Sequence, residues 1–388
     1  MVPKSEGELR IERLRARLRD KGIDGALIVY PIDVYYFSGT RQNALLWIPS
    51  EGEPVLLVRK SYTRARGESI IADVRPMPAS RELPALFSKN IRRIGVTFDV
   101  LPVQQYHFYS GILAGCEFVD ISAINREFRS IKSPWEVEQL RSSGRKLSEV
   151  FSTIPSFLVA GMSEIDLAAE IEYRLKRAGT DGHLRIRAFN QDIVYLAVAG
   201  ENAALPGCFD GAVAGKGLSI AAPYGPSRDP IKKHSPVIVD YAGVFNGYIV
   251  DMTRLFVIGS LPEELERAFR VSLEIEQWLV RSLRPGAVGE ELFAGAVRMA
   301  ESAGLGERFM GYPGEQAKFV GHGTGLELDE LPLLAPRFSS PLEAGHVLAI
   351  EPKFVFPGQG TVGIENTYAL TPEGVERLTD LPDAIVYL

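Results

Sequence analysis

Four carboxylates stand where buried strands should be apolar. Asp240 lies in VIVDYAG, Asp251 in YIVDMTR, Glu351 in LAIEPKF and Glu365 in VGIENTY. Each pair flanks a turn. Asn246-Gly247, a dipeptide that favours a type I′ hairpin, separates the first pair. If those two residues form the turn, Asp251 falls opposite Ala242, two residues from Asp240, and both acids share one face of the sheet. A three-residue loop centred on Gly358 likewise sets Glu351 opposite Glu365. Like charges on an apolar face repel and lose hydration unless a cation lies between them. An edge hairpin with two partly exposed acids would explain the first pair alone. The second acid-turn-acid segment, about 110 residues later, argues for a shared site. Between the hairpins, GHGTGLELDE places His322 among glycines that let backbone approach a ligand.

One imidazole and four carboxylates suit Mn, Co, Fe(II) or Zn. Two divalent ions would balance the four negative charges, and bridging carboxylates can hold such ions ~3.5–4 Å apart in two-metal hydrolases. The expected chemistry is hydrolysis by a metal-activated water.

The elements that must position these residues are read in chain order. Ser5 and Glu8 form a capping-box pattern ahead of an amphipathic helix that stops near Gly22. Apolar runs at 26–30, 44–49, 54–59, 94–98 and 117–121 read as strands, and 83–89 and 102–113 as helices. This alternation predicts an α/β N-terminal domain with a mixed sheet. A boundary is expected within 122–133, giving domains over 1–128 and 129–388. Ser133-Pro134-Trp135-Glu136 then joins an N-cap, a Pro at N1 and an acid at N3, a strong helix start. Ser163 with Asp166 starts a second helix ending at Gly179, and two more are expected over 262–283 and 289–303. The second domain is therefore expected to be α+β, with helices covering one face of a curved antiparallel sheet and the other face left for the site.

Composition narrows the partners. The 388 residues carry a net charge of −6, with 46% hydrophobic and 24% charged residues, as in an ordinary globular chain. No basic footprint points to nucleic acid. Cys116 and Cys208 make neither a disulfide framework nor a thiolate metal site. The N-terminal stretch lacks a signal-peptide core and no apolar run reaches ~18 residues, so no membrane partner and a cytoplasmic location are expected.

The order Asp, Asp, His, Glu, Glu, with DMTRLFVIG (251–259), GHGTGL (321–326) and IEP (350–352), resembles the pita-bread metallopeptidases of the M24 family. The prolidase, aminopeptidase P and creatinase-like branch is the nearest match in layout, because the N-terminal part resembles a creatinase-type domain. The resemblance implies that Asp240, Asp251, His322, Glu351 and Glu365 ligate two divalent ions. It also implies that Glu351 relays the water proton to the leaving amine, that the substrate is a small peptide or amide, and that the chain forms a homodimer. In relatives, the region matching YFSGTRQN shapes the other subunit's site, which makes Tyr36 and Arg41 substrate-binding candidates.

The departures bear on substrate. Relatives usually carry a His about sixteen residues before the first Asp ligand, where APYGPS places Tyr224. Another usually follows the ligand His by seven residues, where Asp329 stands, and many have Arg where this chain has Gly363. His183 is the candidate substitute catalytic imidazole. Arg185 and Arg187, two apart, share a face if extended and could fork a substrate carboxylate; an exposed basic strand face would look the same. His107, His234 and His346 read as surface residues. Two other functions stay open on this site: a creatinase-like amide hydrolase or lyase, and a non-catalytic peptide-binding module.

Overall fold

Asn246 and Gly247 adopt φ of 52° and 82°, as a type I′ turn requires. The flanking strands Pro236–Phe245 and Tyr248–Val257 pair antiparallel along their whole length, with Ala242 opposite Asp251 and Asp240 opposite Thr253. These coordinates are a computed structural model that describes residues 1–87, 90–188 and 195–388. The chain divides into two units, Met1–Phe128 and Arg129–Leu388.

The first unit is an α/β layer structure. Its six-stranded sheet runs Asp73–Pro76, Val55–Val58, Ala44–Pro49, Gly25–Ile28, Arg93–Val96, Glu117–Asp120. Gly25–Ile28 pairs antiparallel with Ala44–Pro49 and parallel with Arg93–Val96, so the sheet is mixed. Leu27, Leu45, Trp47, Leu57, Ile94 and Val96 form its core with Tyr109 of helix Val103–Ile112.

In the second unit, helix Pro134–Phe151 begins as its cap residues dictate. Ser133 Oγ accepts the Glu136 N–H at 3.2 Å, and the Ser133 N–H donates to Glu136 Oε2 at 3.1 Å. Leu140, Leu147 and Phe151 are fully buried, each stabilising by about 1.5–3 kcal/mol. The helix covers the face of the first hairpin opposite the two aspartates. Trp135 stands edge-on to Tyr248 and Phe151 edge-on to Tyr241, and a side chain at Gly243 would crowd Leu147. Helices Glu263–Ser282 and Gly289–Ser302 pack Phe269, Ile275, Leu279 and Ala296 into one core with Ile350, Phe354, Phe356 and Ile364 of the second hairpin. Helix Glu164–Arg177 is capped by Ser163 as expected, and its buried Glu164 accepts from Ala199 N–H, Asn202 Nδ2 and both Ser227 donors. That network pins the segment carrying Tyr224.

Several elements differ from expectation. The first helix, Lys4–Asp20, starts at Pro3, which has no side-chain cap, so Ser5 lies inside its first turn rather than capping it. The stretch expected to hold the boundary contains helix Ser122–Ser130. Helix Pro31–Ser38, with Pro at N1 and Gly39 at φ 78°, was not among the expected elements. Only Leu83–Leu86 of the expected 83–89 helix forms a helical turn, and 88–89 lie outside the described residues.

His346 is also not a surface residue. It is 6% exposed, its Nδ1 accepts the Glu343 N–H at 3.0 Å, and its Nε2 lies 3.4 Å from Ser130 Oγ. Burial, and then Lys132, hold its pKa at about 4, below the ordinary 6.5. Between those values the unfolded chain binds the proton and the folded chain does not, so stability is full above 6.5 and falls as pH drops toward 4. We predict that wild type loses about 2 kcal/mol more than His346→Gln between pH 7 and pH 5, read from urea midpoints. Equal losses would contradict the assignment.

Candidate metal centre

The sheet register gathers the acids into one row. Asp240 pairs with Thr253, and Thr253 bridges antiparallel to Glu365 of the second hairpin. The second hairpin keeps a single register but changes ladders midway. Lys353–Phe356 pairs with Gly360–Gly363, whereas Val347–Ile350 pairs with Asn366–Thr371, Ile350 lying opposite Asn366. Glu351 and Glu365 sit at this break, on backbone outside both ladders. The Glu351 N–H instead donates to Val320 O at 3.0 Å, beside strand Gly321–Thr324, whose His322 pairs with Ala349.

Asp251, His322 and Glu365 are buried, and each offers one ligand atom within 4.8 Å of the others. His322 Nε2 lies 3.7 Å from Glu351 Oε1 and 3.8 Å from Glu365 Oε1. Its Nδ1 lies 3.3 Å from Asp329 Oδ1, so the ring turns its other nitrogen toward the acids. Thr253 Oγ1 donates to Glu365 Oε2 at 2.7 Å, and Thr367 Oγ1 accepts the Asp251 N–H at 2.9 Å.

A residue the sequence reading passed over completes the cluster. Lys353 Nζ donates to Asp240 Oδ2 at 2.9 Å, Glu351 Oε2 at 2.6 Å and Glu365 Oε2 at 2.9 Å. Its side chain is 2% exposed. The signal was present: a lysine in an apolar strand, two residues after Glu351, shares its face. The charge count that led to two ions omitted this positive charge.

Burial sets the protonation of the acids. It raises Asp251 well above the ordinary range, and Glu365 and Asp240 push it the same way. Burial also raises Asp240, partly offset by Lys353. Glu351 rises to about 7 through burial, against the pull of Lys353. For Glu365 burial is outweighed by Lys353 and His322, and its carboxyl settles at about 2. Burial alone would lower His322, but Asp329, Glu365 and Glu351 raise it well above 6.5. Among the described residues, Asp251 is the acid of the four that Lys353 does not touch. An uncompensated buried carboxylate beside an imidazole and a second acid is a fitting donor set for one divalent ion.

The other predicted residues are placed as follows. Arg185 donates to Leu326 O, Gly247 O at 2.9 Å and His183 O at 3.0 Å, so its guanidinium ties loops together. Arg187 Nη1 lies 3.8 Å from Glu327 Oε2, which Arg129 approaches to 2.6 Å. His183 is exposed, and Arg185 engages it through its backbone carbonyl. Tyr224 is half-buried, edge-on to Phe209 at 5.7 Å. In the first unit, Tyr36 is a core residue beneath the Arg10 guanidinium, 4.1 Å from its ring centre, and Arg41 is exposed. Residues 189–194 of the segment around Arg187 lie outside the described residues.

Comparison with known proteins agrees with this layout. Residues 138–372 match metallopeptidase family M24, and residues 10–131 match the creatinase/prolidase N-terminal domain. Over 377 residues the chain is 27% identical to a Xaa-Pro dipeptidase of Pyrococcus furiosus, covering 95% of this chain and 97% of that one. The solved structure of a Xaa-Pro dipeptidase from Bacillus anthracis matches with a TM-score of 0.85 at 25% identity, covering 98% of this chain and 100% of that one. The prolidase of Pyrococcus horikoshii matches with a TM-score of 0.81 at 25% identity, over 96% and 98% of the two chains. No helix among the described residues is long and apolar enough to cross a membrane. The chain belongs to metallopeptidase family M24 and is a metallopeptidase-type hydrolase.

Proposed function

We propose that the chain is a metal-dependent exopeptidase of the Xaa-Pro dipeptidase or aminopeptidase type, acting on small peptides. The observation that carries this reading is the buried convergence of Asp251, His322 and Glu365 within 4.8 Å, with Glu351 beside them. Those three residues would hold a divalent ion, which would supply Lewis-acid activation of a water and of the scissile carbonyl. Glu351 takes the water proton and returns it to the leaving nitrogen. A carboxylate placed between the bound ion and the water is suited to that relay. Lys353 holds one oxygen of Glu351 at 2.6 Å, which leaves the other to face the reacting groups. Asp329 orients the His322 ring through Nδ1. Arg185 and Arg187 act as positioning residues, because their charged ends hold the loops at 247 and 326–327.

Tyr224 and Asp329, standing where relatives usually carry histidines, are the positions on which substrate choice turns. The test is a panel of Xaa-Pro dipeptides, longer Xaa-Pro peptides, other dipeptides and small amides, each with and without chelator. Chelator-sensitive hydrolysis of at least one peptide with a free amino end is expected. Turnover confined to a non-peptide amide would shift the reading to a creatinase-like enzyme, for which the replaced histidines are the motivating observation.

A further inference from the structure

Lys353 sits where a second ion would have to bind. Its ammonium has three N–H donors, and all three point at carboxylates: Asp240 at 2.9 Å, Glu351 at 2.6 Å and Glu365 at 2.9 Å. A two-metal site needs Asp240 and Glu365 free to hold a second ion ~3.5–4 Å from the first. The ammonium already takes one oxygen of each, Asp240 Oδ2 and Glu365 Oε2.

The fold builds room for this lysine. Lys353 opens strand Lys353–Phe356 and lies directly across from Gly363. A Cβ at Gly363 would fall 2.7 Å from Lys353 Cγ and 2.7 Å from Pro352 O. Any side chain there would strike the lysine stem, so the missing side chain at 363 and the lysine at 353 form one packing unit.

Charge alone does not choose between one ion and two. Asp240, Asp251, Glu351 and Glu365 contribute −4 and Lys353 +1; one divalent ion leaves −1 and two leave +1. Occupancy decides. We propose that the Lys353 ammonium is a built-in replacement for the second cation, and that the centre holds a single divalent ion on Asp251, His322 and Glu365. This rests on the metal-dependent reading above and changes its stoichiometry.

The test counts ions rather than turnover. Wild type and Lys353→Ala are stripped of metal, equilibrated with Mn²⁺ or Co²⁺, dialysed, and measured for ions per chain by mass spectrometry and titration calorimetry. Circular dichroism checks that the variant is folded. Wild type is expected to hold one ion and Lys353→Ala two. Two ions in wild type, or one in folded Lys353→Ala, would overturn the proposal and leave the metal-dependent reading intact. If the variant does not fold, the wild-type count decides alone. No bound ion in wild type would remove the metal-dependent reading itself.

Discussion

Asp251→Asn is expected to lower kcat/KM by at least ~10³-fold, about 4 kcal/mol of transition-state stabilisation, while leaving the fold intact. The substitution keeps shape but removes the charge that an ion would answer. Two features separate this from a folding defect. The Asp251 backbone is held independently, by Thr367 Oγ1 at 2.9 Å and by pairing with Ala242. Burial also raises the Asp251 carboxyl well above its ordinary range, so without an ion the neutral amide replaces a group already inclined to be neutral. The metal-free variant should therefore unfold at a urea concentration no lower than metal-free wild type, and it should bind Mn²⁺ far more weakly. Normal activity, or a collapsed fold with unaltered metal affinity, would contradict this. Asp329→Asn touches the same imidazole one step further out and should cost only about 10–100-fold in metal affinity.

The largest effect on stability is expected at Arg254. It is 1% exposed and lies on the far side of the first hairpin from the aspartates. Its Nη1 donates to Thr253 O at 2.7 Å and Glu365 O at 2.9 Å; its Nη2 donates to Asn366 Oδ1 at 2.8 Å and Leu381 O at 3.0 Å. One guanidinium thus joins the two hairpins at the bridge that carries Glu365. Burial, and then the neighbouring Arg377, lower its pKa to about 10, still far above neutrality, so the charge is present. Arg254→Met would strand those acceptors and leave Asp383, 3.5 Å away, without this partner. A loss of about 3–5 kcal/mol is expected, which corresponds to a Tm lower by on the order of 10 °C. Arg254→Lys should recover only part, since a single ammonium cannot reach the same fork of acceptors. An unchanged melting temperature would show that the hairpins are joined by packing alone.

What could be read from the sequence follows from how strongly local chemistry constrains it. The register of both hairpins was legible, because a two- or three-residue turn and period-2 alternation leave little freedom. The helix start at Ser133 was legible for the same reason, and its capping box forms as written. Helix Pro31–Ser38 was missed although Pro31 and Gly39 mark both ends; its aromatic, nearly all-buried sequence carries no helical periodicity. His346 was misread because burial is set by the 131–132 and 343–346 segments meeting, which composition does not reveal.

Lys353 is the instructive omission. Lysine is so seldom fully buried that its presence in an apolar strand passes as noise. Only the paired ladders show it facing three acids, opposite a glycine that makes way for it. The substrate pocket was the least legible part. Arg185 and Arg187 read either as a carboxylate fork or as an exposed basic strand face, yet backbone carbonyls and Glu327 engage them. Spacing along a chain cannot say which partner a guanidinium will find.

The most direct measurement is turnover against bound metal. Metal-free protein is titrated with Mn²⁺, and hydrolysis of the best peptide from the panel is plotted against ions bound per chain. Activity should be absent at zero, rise in proportion, and level off at one. Full turnover with no ion bound would contradict the account at its root.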